Sequence, residues 1–285
     1  MSSVAIVKGI RPSVMIRRAL GLIGAEELLS PKDRVLVKPN YVVARHPSTG
    51  ITTDSRIIES LVEFAKARGV EDIVIGEGGA GDTERAFDIV GIREVATRQG
   101  VRLVNLNRDD RIKVKVSDPL ALNEVGIAKT ALESNCIINV PTLKVHHIAL
   151  VTLSMKNLMG LILPKSIMHS HINEKTVDLA SLFADRVKIN VVDGLVGTEV
   201  NETSGSPVEM NLVIAGRDMV SVDTVATAVM GINPSDVEYL QIAEGEGLGV
   251  ANIEDIRVLG EDVEAARREF KLPSGFNRLI KMKRS

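Results

Sequence analysis

Short apolar runs rich in β-branched residues alternate along this chain with longer segments whose apolar residues recur at helical spacing. The runs predict strands at Val4–Val7, Arg34–Val37, Asp72–Ile75, Arg102–Val104, Ile112–Val116, Cys136–Val140, Lys188–Val192, Leu212–Ala215 and Ile256–Leu259. The longer segments predict helices at Ser13–Leu22, Asp54–Arg68, Glu84–Gln99, Ile127–Leu132, Glu174–Phe183, Ser221–Met230, Ser235–Glu244 and Asp262–Phe270. Such alternation is typical of βαβ units, so the pattern predicts an α/β fold with a mainly parallel sheet and helices on both faces.

The sequence shows no feature that would divide the chain into separate domains. No Pro-, Gly- or Ser-rich linker divides the sequence, and no segment repeats at a fixed period. We therefore expect residues 1–285 to form one structural unit, with two lobes around a cleft as the alternative. The final segment, Asn277–Ser285, carries two arginines and two lysines and is predicted to be a solvated basic tail.

Composition narrows the class of protein. The hydrophobic fraction of 45% and the charged fraction of 25% are those of a globular chain, and a net charge of -2 argues against nucleic-acid binding. No apolar run approaches the roughly 20 residues that span a bilayer. The single cysteine, Cys136, excludes an internal disulfide and a four-cysteine iron–sulfur cluster. We expect a cytoplasmic protein without a membrane partner, and the oligomeric state stays open.

Polar residues follow several predicted strands directly. In open parallel sheets, ligands bind beyond the carboxyl ends of the strands, where loops and helix N-termini converge. We therefore predict a substrate pocket at this edge, extended by residues from the Lys- and His-rich stretch between Thr142 and His171. The predicted binding residues are Lys38, Asn40, His46, Gly78, Gly79, Asn157, Lys165 and Asp193.

The loop Gly76–Gly81 formally matches the dinucleotide fingerprint G-x-G-x-x-G. It is not the first βα turn, however, and Glu77 would place a carboxylate close to a pyrophosphate. We favour a turn whose backbone amides bind an anion, or a role for Glu77 as a catalytic acid or base.

The stretch Thr142–His171 has the most unusual composition of the chain. Lys144 and Lys156 lie among apolar and hydroxyl-bearing residues, where an ammonium group is partly desolvated unless it meets an anion. Lysines in such surroundings bind carboxylate or phosphate, or act as bases or Schiff-base nucleophiles. We predict Lys156, Lys144, His146 and Glu77 as the catalytic residues.

A metal site is the alternative use of the same stretch. His169 and His171 would point the same way in an extended segment, and Glu174 follows closely, which makes a possible two-histidine, one-carboxylate set for a divalent metal. The predicted metal ligands are therefore His169, His171 and Glu174.

Several longer motifs resemble a known family, the domain of unknown function family 362. The resembling segments are Val35–Asn40, Gly76–Thr83, Ile138–His146, Leu153–Gly160, Val192–Gly194, Gly205–Pro207 and Ala215–Asp223. Many members of this family carry ferredoxin-like cysteine clusters, which implies redox roles, but this chain has a single cysteine. The layout is also distantly similar to the nickel-dependent lactate racemase group, which implies proton or hydride movement on a 2-hydroxy acid.

These observations predict an enzyme, isomerase- or lyase-like, that acts on a small anionic metabolite through lysine and histidine residues. The alternative is a metal- or cofactor-binding accessory protein without catalysis of its own. The cofactor is unknown at this point, and the expected partner is the small anion.

Overall fold

The computed structural model describes residues 2–276, so the predicted basic tail, Asn277–Ser285, lies outside the described residues. The strands are β1 (Ser2–Lys8), β2 (Arg34–Lys38), β3 (Asp72–Glu77), β4 (Arg102–Asn105), β5 (Arg111–Lys115), β6 (Glu124–Ala128), β7 (Cys136–Asn139), β8 (Thr142–His146), β9 (Leu150–Thr152), β10 (Ile162–Leu163), β11 (Val187–Glu199), β12 (Ser206–Gly216) and β13 (Ile256–Gly260). The α-helices are α1 (Pro12–Leu22), α2 (Ser55–Ala67), α3 (Thr83–Val90), α4 (Ile92–Gln99), α5 (Lys129–Glu133), α6 (Ser154–Asn157), α7 (Ile172–Phe183), α8 (Met219–Val229), α9 (Glu238–Gly245) and α10 (Val263–Ala266). None of these helices is long and apolar enough to cross a bilayer.

The main sheet has the order β13-β1-β12-β11-β7-β2-β3-β4, and β8 and β9 extend it beside β11. Strands β11, β7, β2, β3 and β4 are mutually parallel, whereas β12 runs antiparallel to both of its neighbours. The predicted mainly parallel α/β sheet is therefore confirmed. Because neighbouring strands point the same way, the carboxyl ends of β2, β3 and β7 lie side by side.

Strand β2 illustrates how the sheet is covered on both faces. Val35 and Val37 pack into one apolar cluster, which includes residues of α1 and α2, while Leu36 between them packs into the other, with α7, α8 and α9. Successive side chains of a strand point to opposite faces, so an uninterrupted apolar run is what a doubly covered strand requires. Helices lie on both faces, as predicted.

Helix α2 is fixed to the sheet at its N-cap residue, Asp54. The carboxylate of Asp54 accepts a hydrogen bond from the backbone N–H of Arg56 at 2.9 Å and caps the helix. The backbone N–H of Asp54 in turn donates to Asp193 at 2.7 Å. This contact ties the start of α2 to β11.

Three predicted elements differ from the structure. The helix predicted over Glu84–Gln99 is two helices, because Gly91 ends the first with a φ of 74° that a helix cannot continue through. The segment predicted as helix from Ile127 begins instead as strand β6, since Ile127 pairs with Ile112 of β5 and Ile162 of β10 in a separate three-stranded sheet. The helix predicted over Asp262–Phe270 is confined to Val263–Ala266.

Candidate functional site

A cavity of about 520 Å³ opens at the carboxyl ends of β2 and β3. Asn40 from the loop after β2 and Glu77 at the end of β3 form part of its wall, with β8 and α6 opposite. Of the predicted site residues, those that line it are Asn40, Glu77, Gly78, Gly79, Lys144, His146, Lys156, Asn157, Lys165 and His169. Residues more than a hundred positions apart in the sequence thus come together at the carboxyl edge of the sheet, where open α/β folds bind ligands.

Lys38 lies beneath this cavity rather than in its wall. Its fully buried ammonium donates to the Glu77 carboxylate at 2.6 Å, to the carbonyl oxygen of Pro39 at 2.9 Å and to the side-chain oxygen of Asn157 at 3.1 Å. Burial lowers the pKa of Lys38, and Glu77 opposes that shift. The predicted role of Lys38 in substrate binding does not fit this position, because its charge is already paired with Glu77.

A chain of amides carries polar contacts from this ion pair to the cavity. The side-chain oxygen of Asn157 accepts from Asn40 at 2.8 Å, and the side-chain oxygen of Asn40 accepts from the Lys144 ammonium at 2.5 Å. Lys144 also donates to the carbonyl oxygen of Ile51 at 3.0 Å. Burial lowers the pKa of Lys144 to about 7, although the carboxylates of Glu202 and Glu77 oppose the shift.

Lys156 is placed differently from the other lysines of the site. Its side chain is 3% exposed and lines the cavity, and the contact of its Nζ is with the sulfur of Met159 at 3.5 Å. Burial lowers its pKa to about 8, opposed by Glu202. Among residues 2–276, no oxygen acceptor lies within hydrogen-bonding distance of this amine.

The short helix α6 holds Lys156 in this position. The carboxylate of Asp223, on α8, accepts from the backbone N–H of Ser154 at 2.7 Å and from that of Met155 at 3.1 Å. Burial raises the pKa of Asp223 to about 7, and these two amides oppose the shift. Asp223 therefore caps α6 from another helix.

Lys165 reaches the cavity from the segment after β10. Its ammonium donates to the side-chain oxygen of Asn107 at 2.7 Å and to the carbonyl oxygen of Ile162 at 3.2 Å. Burial lowers its pKa to about 8. Both acceptors are neutral, so this amine too is held without a carboxylate.

The ring of His146 has a defined tautomer. Its Nδ1 accepts hydrogen bonds from the backbone N–H groups of Ile148 at 3.0 Å and Ala149 at 3.1 Å. A nitrogen that accepts carries no proton, so the neutral ring holds its proton on Nε2. Burial, together with the charge of Lys156, lowers the pKa of His146 to about 2, which keeps the ring neutral. His146 therefore offers an N–H donor to a ligand.

The structure brings potential metal ligands together, but they are not the predicted set. Within the described part of the chain, three residues have potential metal-ligand atoms that lie within 4.8 Å of one another. They are His146, His147 and Glu202. The predicted set does not assemble: His171 and Glu174 are 3.6 Å apart on an exposed helix start, whereas His169 faces the cavity. The Nδ1 atom of His146 accepts hydrogen bonds from two backbone amides, and its Nε2 atom carries a proton. Neither nitrogen therefore offers a free lone pair to a metal ion in this ring orientation.

The glycines of the loop after β3 serve close packing. A Cβ on Gly78 would lie 2.5 Å from the carbonyl oxygen of Gly160. The amide of Gly79 donates to the hydroxyl of Thr83 at 3.0 Å, so it is not free to bind the anion that the sequence interpretation assigned to this turn.

Two predicted binding residues lie outside the cavity. His46 is exposed and caps a short 3₁₀ helix, where its Nδ1 accepts from the amide of Ser48 at 3.2 Å. Asp193 is buried at the start of α2 and accepts from the amides of Asp54 and Leu195. Both side chains are used by local backbone donors.

Glu202 and Thr152 were missed by sequence reasoning. Glu202 lines the cavity and accepts from the His147 ring at 2.5 Å, and it stands in an irregular turn that carries no motif. The hydroxyl of Thr152 lines the cavity and is buried without a hydrogen-bond partner in the described structure. A buried hydroxyl of this kind is costly unless a ligand or water contacts it.

The fold and the site define a class of protein: a mainly parallel α/β protein with a lysine-lined cavity at the carboxyl edge of its sheet. The family model described as "Domain of unknown function (DUF362)" matches residues 35–228, which is more than half of the chain. The chain belongs to this family, and the matched segment contains the cavity residues from Asn40 to Thr203.

Two further comparisons describe relatives. The chain is 24% identical over 260 residues to the thylakoid-associated protein sll1697 of Synechocystis, which covers 88% of this chain and 79% of that protein. A solved structure, the lactate racemase apoprotein from Thermoanaerobacterium thermosaccharolyticum, matches with a TM-score of 0.46 and 13% identity, covering 76% of this chain and 54% of the racemase chain. The expected distant similarity to the racemase group is found. At these values it says nothing about activity.

Proposed function

We propose that the cavity binds a small organic anion and that the protein is an isomerase- or lyase-type enzyme acting on it. The observation that carries the proposal is a surplus of buried amines. Lys144, Lys156 and Lys165 all line the cavity, and none of them forms an ion pair within the described structure.

The charges around the cavity support an anionic ligand. Lys38, beneath the cavity, neutralises Glu77 in its wall. Glu202, which contacts His147 at the rim, is then the remaining carboxylate of the lining, and three amines outnumber it. Burying an ammonium without a counter-charge is costly, and a bound carboxylate or phosphate offsets that cost through charge-assisted hydrogen bonds.

The dimensions and remaining polar groups fit a small metabolite. A cavity of about 520 Å³ accommodates a small molecule. His146 supplies an N–H donor, and the unpartnered hydroxyl of Thr152 supplies a further contact. A neutral imidazole that donates from Nε2 stabilises negative charge that develops on a substrate oxygen, and amines with lowered pKa accept protons near neutral pH.

A thermal-shift screen of small carboxylates, hydroxy acids, 2-oxo acids and phosphates tests the proposal. A ligand at about a hundredfold its Kd stabilises the folded state by roughly 2.7 kcal/mol, which raises the melting temperature by several degrees. Lys156→Met removes a charge-assisted contact and weakens the best ligand on the order of tenfold or more. Lys32→Met, at an exposed position, is the matched control.

Two outcomes contradict the proposal. The first is the absence of stabilisation by any anion of the screen. The second is stabilisation that Lys156→Met and Lys32→Met leave equally intact. Stabilisation by Zn²⁺ or Ni²⁺ alone that is lost in His147→Ala would instead favour the alternative, a metal-binding accessory protein.

A further inference from the structure

The three cavity lysines differ in what their amines contact. The Nζ atoms of Lys144 and Lys165 each donate to two oxygen acceptors, one of them a side-chain amide. The Nζ of Lys156 contacts only the Met159 sulfur at 3.5 Å within residues 2–276. Oxygen acceptors hold the amines of Lys144 and Lys165 in fixed positions, whereas the amine of Lys156 has no oxygen acceptor among the described residues and is available to a ligand.

The surroundings of Lys156 favour its neutral form. The side chain is 3% exposed, the preceding Met155 is fully buried, and the sulfur of Met159 contacts the amine. An apolar wall penalises the ammonium and leaves the neutral amine almost unaffected. Lys144 and His146 face the same cavity, and Glu202 is the carboxylate that opposes the lowering of the Lys156 pKa.

A neutral, immobilised amine in a cavity has one chemical property that an ammonium lacks, a lone pair that attacks carbonyl carbon. We propose that Lys156 is a Schiff-base nucleophile and that the ligands of the cavity are carbonyl compounds that bear a carboxylate, of the 2-oxo acid class. This inference rests on the proposed anion site: Lys165 and Lys144 bind the carboxylate, and the carbonyl carbon meets Lys156.

The covalent step balances without a further reactant. The ammonium of Lys156 first loses a proton to solvent, and the neutral amine attacks the carbonyl carbon to form a carbon–nitrogen bond. The carbonyl oxygen takes up protons and leaves as water, and Nζ keeps one hydrogen in the resulting iminium ion. The N–H of His146 is placed on the cavity wall to donate to the oxygen while it carries negative charge.

The product of this step explains an isomerase or lyase activity. An iminium ion withdraws electrons from the adjacent carbon, so a bond to that carbon breaks more easily. Proton removal leads to isomerisation, and loss of a carbon fragment leads to cleavage. Both reactions release the product when water attacks the iminium carbon and restores the amine.

Reductive trapping tests the inference on the full chain. The protein is incubated with glyoxylate or pyruvate, treated with borohydride and digested, and each lysine peptide is quantified by mass spectrometry. Reduction of the pyruvate iminium adds the mass of pyruvic acid less one oxygen atom. At neutral pH we expect Lys156 to be labelled on the order of tenfold faster than the exposed Lys32, because burial lowers the pKa of the Lys156 amine.

The pH dependence of the labelling rate distinguishes a nucleophilic Lys156 from a lysine with only a structural role. Burial lowers the pKa of Lys156 to about 8, so its labelling rate levels off above that pH. The exposed Lys32 is labelled in parallel as the internal reference. The titratable groups that share the cavity with Lys156 include Lys144, His146 and Glu202, and none of them is changed in this comparison.

Lys156→Arg separates this inference from anion binding, because arginine keeps the charge but does not form an imine under these conditions. We expect no adduct at position 156 and continued stabilisation by carboxylates. Labelling of Lys156 no faster than Lys32 with both probes, while carboxylates still stabilise the wild type, overturns the Schiff-base role alone. Absence of both labelling and stabilisation overturns the anion site as well.

Discussion

Replacing Lys156 by Met is expected to stabilise the unliganded protein near neutral pH. The substitution keeps an unbranched side chain of similar length, which packs in the same apolar wall beside Met159. It removes an amine that has no oxygen acceptor in the described structure. Residues kept for function at a cost in stability behave in this way.

The magnitude follows from the pKa of the amine. Burial lowers the pKa of Lys156 from 10.5 to about 8. The charge on this lysine therefore destabilises the folded chain by roughly 3 kcal/mol relative to the unfolded chain. Below a pH of about 8 the whole penalty acts on the wild type. Between about 8 and 10.5 the unfolded chain binds a proton that the folded chain does not, so wild-type stability rises with pH in that window.

Denaturant unfolding of both proteins at about pH 7 and about pH 9.5 measures this effect. The Met variant is expected to be more stable by up to roughly 3 kcal/mol at the lower pH, and its advantage shrinks by roughly 2 kcal/mol at the higher pH. Comparing two pH values cancels the packing contribution, which does not titrate, and Lys32→Met serves as the control. A Met variant that is less stable at both values, by the same amount, would refute the burial of an unpaired ammonium.

Two further substitutions test how the site is held. Asp223→Asn removes the charged acceptor of two α6 amides, so we expect a loss of about 1–3 kcal/mol in the free energy of unfolding and weaker ligand binding in the thermal-shift assay. Gly160→Ala places a Cβ against the Lys38–Glu77 pair, so chemical unfolding should show a loss of about 3 kcal/mol or more. Gly21→Ala, in open space on α1, is its control and should change stability by less than about 1 kcal/mol.

The sheet was largely predictable because its strands are buried on both faces. In the sequence, a strand such as Val35–Val37 is a continuous apolar run. The alternation of such runs with amphipathic helices indicates a parallel sheet. Strands β8 and β9 were not predicted. Strand β8 pairs with the long strand β11, with Asp193 opposite Thr142, and no local pattern reports a partner that far along the chain. Strand β9 in turn pairs with β8.

The site was predictable where its residues share one stretch of sequence. Lys144, His146 and Lys156 were found together because polar groups in an apolar stretch stand out. Glu202 and Asp223 were not, since each reaches the site from a separate element with no motif of its own. The sequence also could not distinguish the paired Lys38 from the unpaired Lys156, because that difference lies in which carboxylate the fold brings near.

The charged lysines of this cavity are proposed to bind an organic anion. Calorimetric titration of the best stabilising carboxylate that lacks a carbonyl, at about pH 6.5 and about pH 9.5, tests it most directly. The pKa values of Lys144, Lys156 and Lys165 are about 7, about 8 and about 8, so the amines lose their charge across this range. We expect the affinity to fall on the order of tenfold or more at the higher pH. Equal affinity at both pH values would contradict the claim.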